Sequence, residues 1–180
     1  MREPIIFRKV PNIEVLQTCA QQHADIDAGF IEAFLILVHT SSELLNAGVE
    51  YFHEYGTSPA RFGLMMQLHM NKEHSLSPSD LAERTGVTRA TVTGLLDGLT
   101  RDGYIQRKPD PNDRRSQTVH LTAKAQSFLD GFLPGHFKRI QGLMENISDK
   151  EKKQLVSILT KILGNLSVLN RGPQPLSQKK

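Results

Sequence analysis

The chain has 180 residues, is 38% hydrophobic and carries a formal net charge of +3. Its length suits one domain with short tails, and its single cysteine, Cys19, excludes an intrachain disulfide and suits a reducing compartment. Residues 1–11 are basic without the apolar core of a signal peptide, and no apolar run is predicted to span a bilayer. We therefore expect a cytoplasmic protein with no membrane partner.

The charge is unevenly distributed along the chain. Residues 1–60 carry 3 basic and 8 acidic side chains, residues 61–125 carry 10 and 7, and residues 126–180 carry 9 and 4. A basic isoelectric point can also arise from charged side chains spread evenly over a solvated surface. However, several cations cluster around one predicted unit, which favours phosphate binding there. They are Arg101, Arg107, Lys108, Arg114 and Arg115.

The first predicted helix covers residues 26–55 and follows an N-terminal extension, residues 1–25, that shows no clear periodicity. Its apolar residues recur at helical spacing. Ser58 and Pro59 then predict the start of a second helix, which extends to about Asn71. The apolar stripe of the first helix consists of Phe30, Phe34, Leu37, Leu44, Leu45 and Phe52.

The segment Leu81–Leu99 predicts two short helices joined by a tight corner. Ala82 lets the second helix pack closely, Gly86 accepts left-handed backbone at the corner, and Val92 fills the space between the helices. Ser77–Asp80, just before it, has the residues of a proline-started helix with a capping box. This pattern is a helix-turn-helix, whose second helix can enter the major groove of DNA.

Two strand-like runs follow the second helix, Tyr104–Lys108 and Gln117–Leu121. The second run alternates apolar and polar residues, as a half-buried strand does. The connection between them, residues 109–116, is rich in turn residues, is too long for a two-residue hairpin and contains Arg114 and Arg115. A helix-turn-helix followed by such a hairpin is a winged helix.

Four motifs carry a family resemblance: Leu81–Leu99, Asp102–Arg107, Asp113–Ser116 and Val119–Thr122. In this order and spacing, over residues 29–169, the chain resembles the MarR (multiple antibiotic resistance regulator) family of bacterial transcription factors. The resemblance implies an obligate homodimer that binds a pseudo-palindromic operator in double-stranded DNA. It also implies a repressor that is usually released by a small ligand or by oxidation.

The expected fold is mainly α-helical with a small β-wing. A winged helix-turn-helix core, residues 58–122, lies between dimerisation helices at 26–55 and 123–169, and residues 170–180 form a flexible tail. In the second helical region, Pro134 predicts a kink or break near Leu133. A capping box at Ser148–Glu151 then begins a final helix, whose apolar face has little to pack against except a second copy. That face contains Leu155, Ile158, Ile162, Leu166 and Leu169.

The second helix of the helix-turn-helix is the expected recognition helix, which would contact DNA bases. Its exposed side carries few long side chains, because Gly94 stands where the family often has a basic residue. Two readings stay open: an exposed helix tolerates the glycine, or the backbone approaches DNA closely there. Arg115 is expected in the minor groove, braced by Asp113, or the two merely stabilise the turn. The expected DNA contacts are Ser77, Ser79, Thr88, Arg89, Ala90, Thr91, Thr93, Arg107, Arg114 and Arg115.

The resemblance implies that a small aromatic or amphipathic effector binds between the first helices and the winged unit. The candidate lining residues form a methionine and aromatic stripe, which equally fits plain core packing. Cys19 precedes the first dimerisation helix, whereas oxidation-sensing relatives carry their cysteine within it, so an inert thiol is expected. The candidate pocket residues are His39, Phe62, Met65, Met66 and His69.

No enzyme, cofactor or metal is predicted. The sequence lacks a phosphate-binding glycine loop, a nucleophile elbow and a metal motif, and no cysteine joins the histidine and carboxylates at Glu50, His53 and Glu54. Two alternatives remain: a winged-helix protein-interaction module without DNA binding, and a regulator that senses oxidation through Cys19. Salt-dependent binding to DNA would separate the first alternative from a DNA-binding regulator.

Overall fold

The computed structural model describes residues 13–21, 27–110 and 117–170. The described residues form two compact units, one within residues 1–126 and one within residues 127–180. The predicted tail from 171 onward and the wing-tip residues Asp113, Arg114 and Arg115 lie outside the described residues. So does the side chain of Cys19.

The order of elements is that of a winged helix with additional helices on both sides. The elements are α1 (Ile13–Gln21), α2 (Ala28–Glu54), α3 (Pro59–Met70), β1 (Ser75–Leu76), α4 (Pro78–Thr85), α5 (Arg89–Arg101), β2 (Ile105–Pro109), β3 (Gln117–Leu121), α6 (Ala123–Leu143), α7 (Asp149–Gly164) and a 3-10 turn at Leu166–Asn170.

The core of the first unit lies among α3, α4, α5 and a three-stranded antiparallel sheet ordered β1-β3-β2. Strand β1 escaped the sequence prediction because it has only two residues, Ser75 and Leu76, which pair with His120 and Val119 of β3. Apolar side chains from every layer are fully buried here. They are Leu64, Met65, Leu68, Leu81, Val92, Leu96, Leu99 and Val119.

The helix-turn-helix prediction is confirmed in detail. Gly86 adopts φ +67° at the end of α4, which is left-handed backbone that glycine takes without steric cost. Ala82 and Val92 are buried where the two helices meet. Ser77 and Asp80 form the expected reciprocal capping box, with Pro78 in the first turn. The local residues therefore fix both the corner and the start of α4.

The wing strands are also confirmed, and β2 begins one residue later than predicted. Ile105 pairs with Leu121 and Arg107 pairs with Val119, so these four side chains share the face of the hairpin that packs on the helices. Ile105 and Val119 are buried. The alternation of apolar and polar residues in β3 therefore places its apolar side chains on the face of the hairpin that packs against the helices.

The N-terminal region contains a helix that the sequence prediction missed. Helix α1 packs against α2 and buries Leu16. Asp27 caps α2, since its Oδ1 accepts a hydrogen bond of 2.7 Å from the Gly29 amide. At nine residues, α1 is too short to show a clear period by itself, which explains why its sequence appeared irregular.

Helix α2 exposes most of its apolar stripe. Its mean hydropathy reaches 1.4 over an 18-residue window, which by length and composition suffices to cross a membrane, so the expectation that no run could do so is wrong for this helix. Phe52 is the only residue of this helix that is buried. The exposed apolar side chains of α2 are Phe30, Phe34, Ile36, Val38, Leu44, Leu45 and Val49.

Helix α6 continues through Pro134 as one 21-residue helix, so of the predicted kink or break near Leu133 the break is wrong and the kink stays a prediction. A proline costs one backbone hydrogen bond and some crowding, but its fixed φ lies in the helical range, and a long helix keeps the bonds on either side. Helix α7 starts as predicted, with a capping box between Ser148 and Glu151. None of its residues is buried.

Candidate nucleic-acid interface

The N-terminal half of α5 presents an exposed surface of small side chains and one cation. The residues expected there to read DNA are all exposed: Thr88, Arg89, Ala90, Thr91 and Thr93. Within the described part of the chain, Arg89 forms no ion pair or side-chain hydrogen bond. Its guanidinium is therefore available for an external acceptor.

The threonine hydroxyls of this surface are already engaged within the helix. Thr88 caps α5 by accepting a hydrogen bond of 3.2 Å from the Thr91 amide, and the two hydroxyl oxygens are 2.9 Å apart. Thr93 donates its hydroxyl to the carbonyl of Arg89 at 2.9 Å. The exposed methyl groups remain for apolar contact, such as contact with thymine methyl groups in a major groove.

Gly94 lies in open space on α5, since a Cβ atom built there would meet nothing within 4 Å. The fold therefore does not require glycine at this position. The two interpretations of Gly94, a tolerated glycine and close approach of the backbone to DNA, differ in whether a methyl group at this position lowers DNA affinity.

The start of α4 contributes the second part of the surface. The hydroxyl of Ser77 donates to Oδ2 of Asp80 at 2.8 Å and accepts from the Asp80 amide at 3.1 Å. Ser77 is thus committed to capping, whereas Ser79 is exposed in the first turn. Amides at a helix start favour an anion, so a phosphate contact at Ser79 fits this geometry better than one at Ser77.

Arg107 does not have the free guanidinium expected of a phosphate ligand. Its Nη2 lies 2.5 Å from Oδ1 of Asp97 on α5. The cause is the strand alternation, because Arg107 shares a face with the buried Ile105 and so extends toward the helices. The sequence prediction included Arg107 but did not detect the partner.

A second ion pair joins α3 to the end of α5. Nη2 of Arg61 lies 2.5 Å from Oδ2 of Asp102, and this hydrogen bond lowers the pKa of the Asp102 carboxyl below its ordinary value of 3.8. Lys124 donates to the backbone carbonyl of Asp102 at 2.8 Å and lies 4.8 Å from the centre of the Tyr104 ring. No local pattern reveals these contacts, since Arg61 and Asp102 are 41 residues apart.

The five candidate effector residues occupy different environments. Met65 is buried in the core, Phe62 packs on Phe52 with ring centres 4.9 Å apart, and Met66 is half-buried. Among the described residues, Nδ1 of His39 and Nδ1 of His69 are buried without a hydrogen-bond partner. A cavity of about 270 Å³ beside α3 is lined by other residues, including Gly63, Gln67 and Leu95.

The described residues contain no group of three or more His, Cys, Asp or Glu side chains placed to hold one metal ion. Glu50, His53 and Glu54 of α2 do not form such a group. Within residues 13–21, 27–110 and 117–170, the polar arrangement that stands out is therefore the exposed surface on α4 and α5.

Comparisons with known proteins agree with this geometry. A model of the MarR family matches residues 55–116. The chain is 41% identical over 162 residues to the HTH-type transcriptional repressor YetL of Bacillus subtilis (strain 168), covering 90% of this chain and 97% of that protein. The chain belongs to the MarR family.

Two further comparisons bear on sequence and fold. The transcriptional repressor MprA of Escherichia coli (strain K12) is 29% identical over 161 residues, covering 89% of this chain and 92% of that repressor. The MarR family regulator Sco3205 of Streptomyces coelicolor, solved in complex with DNA, superposes with a TM-score of 0.73 at 18% identity. That alignment covers 86% of this chain and 95% of Sco3205 and supports the fold alone.

Proposed function

We propose that this MarR family protein is a cytoplasmic, homodimeric transcriptional repressor that binds a pseudo-palindromic operator. The observation that carries the proposal is the exposed start of α5, where Arg89 and three threonines lie on a helix-turn-helix whose opposite face is fully buried. The helix presents its N-terminal residues to solvent, as recognition helices present them to base edges. The relatives YetL and MprA are named as transcriptional repressors.

Homodimerisation is supported by the apolar side chains that the single chain leaves exposed. Helix α2 exposes most of its stripe, and α7 exposes all of its large apolar residues. Contiguous apolar surface of this kind marks an interaction site in a monomeric chain. A second copy covers it symmetrically and places two recognition helices on one duplex.

Interface burial also accounts for the hydropathy of α2 without a membrane. The helix carries Glu32, Glu43 and Glu50 along its length, and a carboxylate inside a bilayer is costly. At a subunit interface such side chains remain at the edge in contact with water. Fractionation of cells should accordingly recover the protein with cytoplasmic contents, and recovery with membranes would contradict this assignment.

Release by a small aromatic or amphipathic effector is part of the proposal. The residues proposed to line its pocket remain His39, Phe62, Met65, Met66 and His69. Support comes from the buried Nδ1 atoms of His39 and His69, which lack partners among the described residues, and from half-buried Met66. A polar group on the effector would satisfy such atoms, and methionine adapts to varied apolar shapes.

The proposal is tested by DNA binding of the full chain to the DNA upstream of its own coding region, measured by gel shift over a salt series. Arg89→Ala should weaken binding by about 1–3 kcal/mol if Arg89 holds a guanine edge. Lys153→Ala, which removes one positive charge from α7, should leave affinity nearly unchanged. Absence of binding to any DNA at low salt would contradict the proposal and favour a protein-interaction module.

A further inference from the structure

The ion pair between Asp97 and Arg107 links the recognition helix to the first strand of the wing. Asp97 belongs to α5, Arg107 belongs to β2, and their closest atoms are 2.5 Å apart. The Arg107 side chain is 32% exposed and that of Asp97 is 61% exposed. Water reaches an ion pair this exposed, so the pair contributes little to folding stability and acts mainly through its local charge.

The position of Asp97 makes its charge important for DNA binding. Asp97 lies four residues after Thr93, so both occupy one face of α5, and Thr93 is among the proposed DNA contacts. A carboxylate on that face repels phosphates unless a cation is beside it. Among the described residues, Arg107 is the cation within ion-pair distance of Asp97.

We propose, building on the DNA-binding function above, that Arg107 is the counter-ion of Asp97 rather than a phosphate ligand. Asp97 holds the guanidinium of Arg107 at the junction of α5 and β2. Arg107 in turn neutralises a carboxylate that lies on the same face of α5 as Thr93. The pair as a whole adds no charge to the interface, whereas either residue alone adds a full charge.

This assignment predicts a recovery that a direct phosphate contact does not. Loss of Arg107 alone leaves Asp97 uncompensated, and loss of both side-chain charges returns the local net charge to zero. The double replacement should therefore bind DNA nearly as well as wild type. If Arg107 instead held a phosphate, that contact would be missing from both variants, so the double variant would stay clearly weaker than wild type even though the Asp97 charge is gone.

The experiment compares wild type, Asp97→Asn, Arg107→Gln and the double variant by fluorescence anisotropy on one duplex of random sequence, across a salt series. We expect Arg107→Gln to weaken binding about tenfold and the double variant to return to within about threefold of wild type, with the wild-type salt slope. A double variant that stays about tenfold weaker than wild type, with a salt slope reduced by about one, would overturn the inference.

Asp97→Asn provides an independent readout if Arg107→Gln does not fold, as judged by circular dichroism. Freed from Asp97, Arg107 should reach a phosphate, so the salt slope should increase by about one and affinity should increase with it. An unchanged slope in Asp97→Asn would contradict the role of Arg107 as the counter-ion of Asp97. Failure of the wild type itself to bind the duplex at low salt would count against the proposed function and not against this pair.

Discussion

The winged unit buries its apolar side chains within one chain, whereas the outer helices leave many of theirs exposed. In the winged unit, Leu68, Leu81, Leu96 and Leu99 are fully buried by residues of the same chain. In α7, by contrast, no residue is buried. The winged unit therefore has a complete apolar core within a single chain, whereas the apolar surface of α7 is not buried by residues of the same chain. We therefore expect DNA recognition and the proposed dimerisation to depend on different parts of the sequence, so mutations should affect them separately.

The largest expected effect comes from placing a charge on the uncovered surface. Leu163→Glu should split the dimer, because the Leu163 side chain is 68% exposed in the single chain and a buried unpaired carboxylate at an interface is costly. Light scattering after gel filtration should give a single-chain mass of 20.2 kDa instead of twice that value. Operator affinity should fall by about 10²-fold or more as the link between half-sites is lost.

Lys153→Glu is the matched control for that substitution, since it introduces the same side chain on the polar side of the same helix. It should leave the dimer intact. If Leu163→Glu keeps the mass of two chains, the exposed face of α7 is not the interface.

Truncating a side chain within the winged unit should lower the free energy of unfolding rather than split the dimer. Leu96→Ala removes a fully buried side chain of α5 and should lower the free energy of unfolding by about 2–5 kcal/mol. Urea denaturation monitored by circular dichroism measures this loss. Leu163→Ala, with the same change of side chain at an exposed site, should cost far less in the winged unit's unfolding transition. Equal losses would remove the contrast between the two regions.

A smaller effect distinguishes the two readings of Gly94. Gly94→Ala should raise the free energy of unfolding by up to about 1 kcal/mol, because the new methyl group meets nothing and alanine favours a helix. Gly98→Ala is the control on the same helix, where the new Cβ would be 4.0 Å from the end of Arg101. Operator affinity that falls only in Gly94→Ala indicates close backbone approach, and unchanged affinity indicates a tolerated glycine.

The smallest effect concerns acid stability at the junction of α3 and α5. Because Arg61 lowers the pKa of Asp102, this ion pair contributes fully above the ordinary pKa of 3.8 and is lost as the pH falls through the lowered pKa. Arg61→Gln should remove that contribution, so the variant should lose less stability than wild type between neutral and strongly acid pH. Denaturant midpoints at both pH values test this, and parallel losses would contradict it.

The parts of the fold that sequence predicts well are those that local residues determine. Gly86 at the corner and the Ser77 capping box act within a few residues, so their spacing reveals them. The pairing of Asp97 with Arg107 depends instead on where a strand lies relative to a helix, and no periodicity encodes that. At Pro134 the helix does not break, because the turns on either side keep their hydrogen bonds, and local sequence alone does not decide between a kinked and a broken helix.

In the proposed complex, two copies of this chain place two recognition helices on one operator. Selection of bound fragments from random DNA, followed by measurement of the number of chains per duplex, tests it most directly. We predict two symmetry-related half-sites about 10 bp apart, centre to centre, occupied by two chains. Enrichment of a single half-site bound by one chain, or of no sequence at all, would contradict the claim.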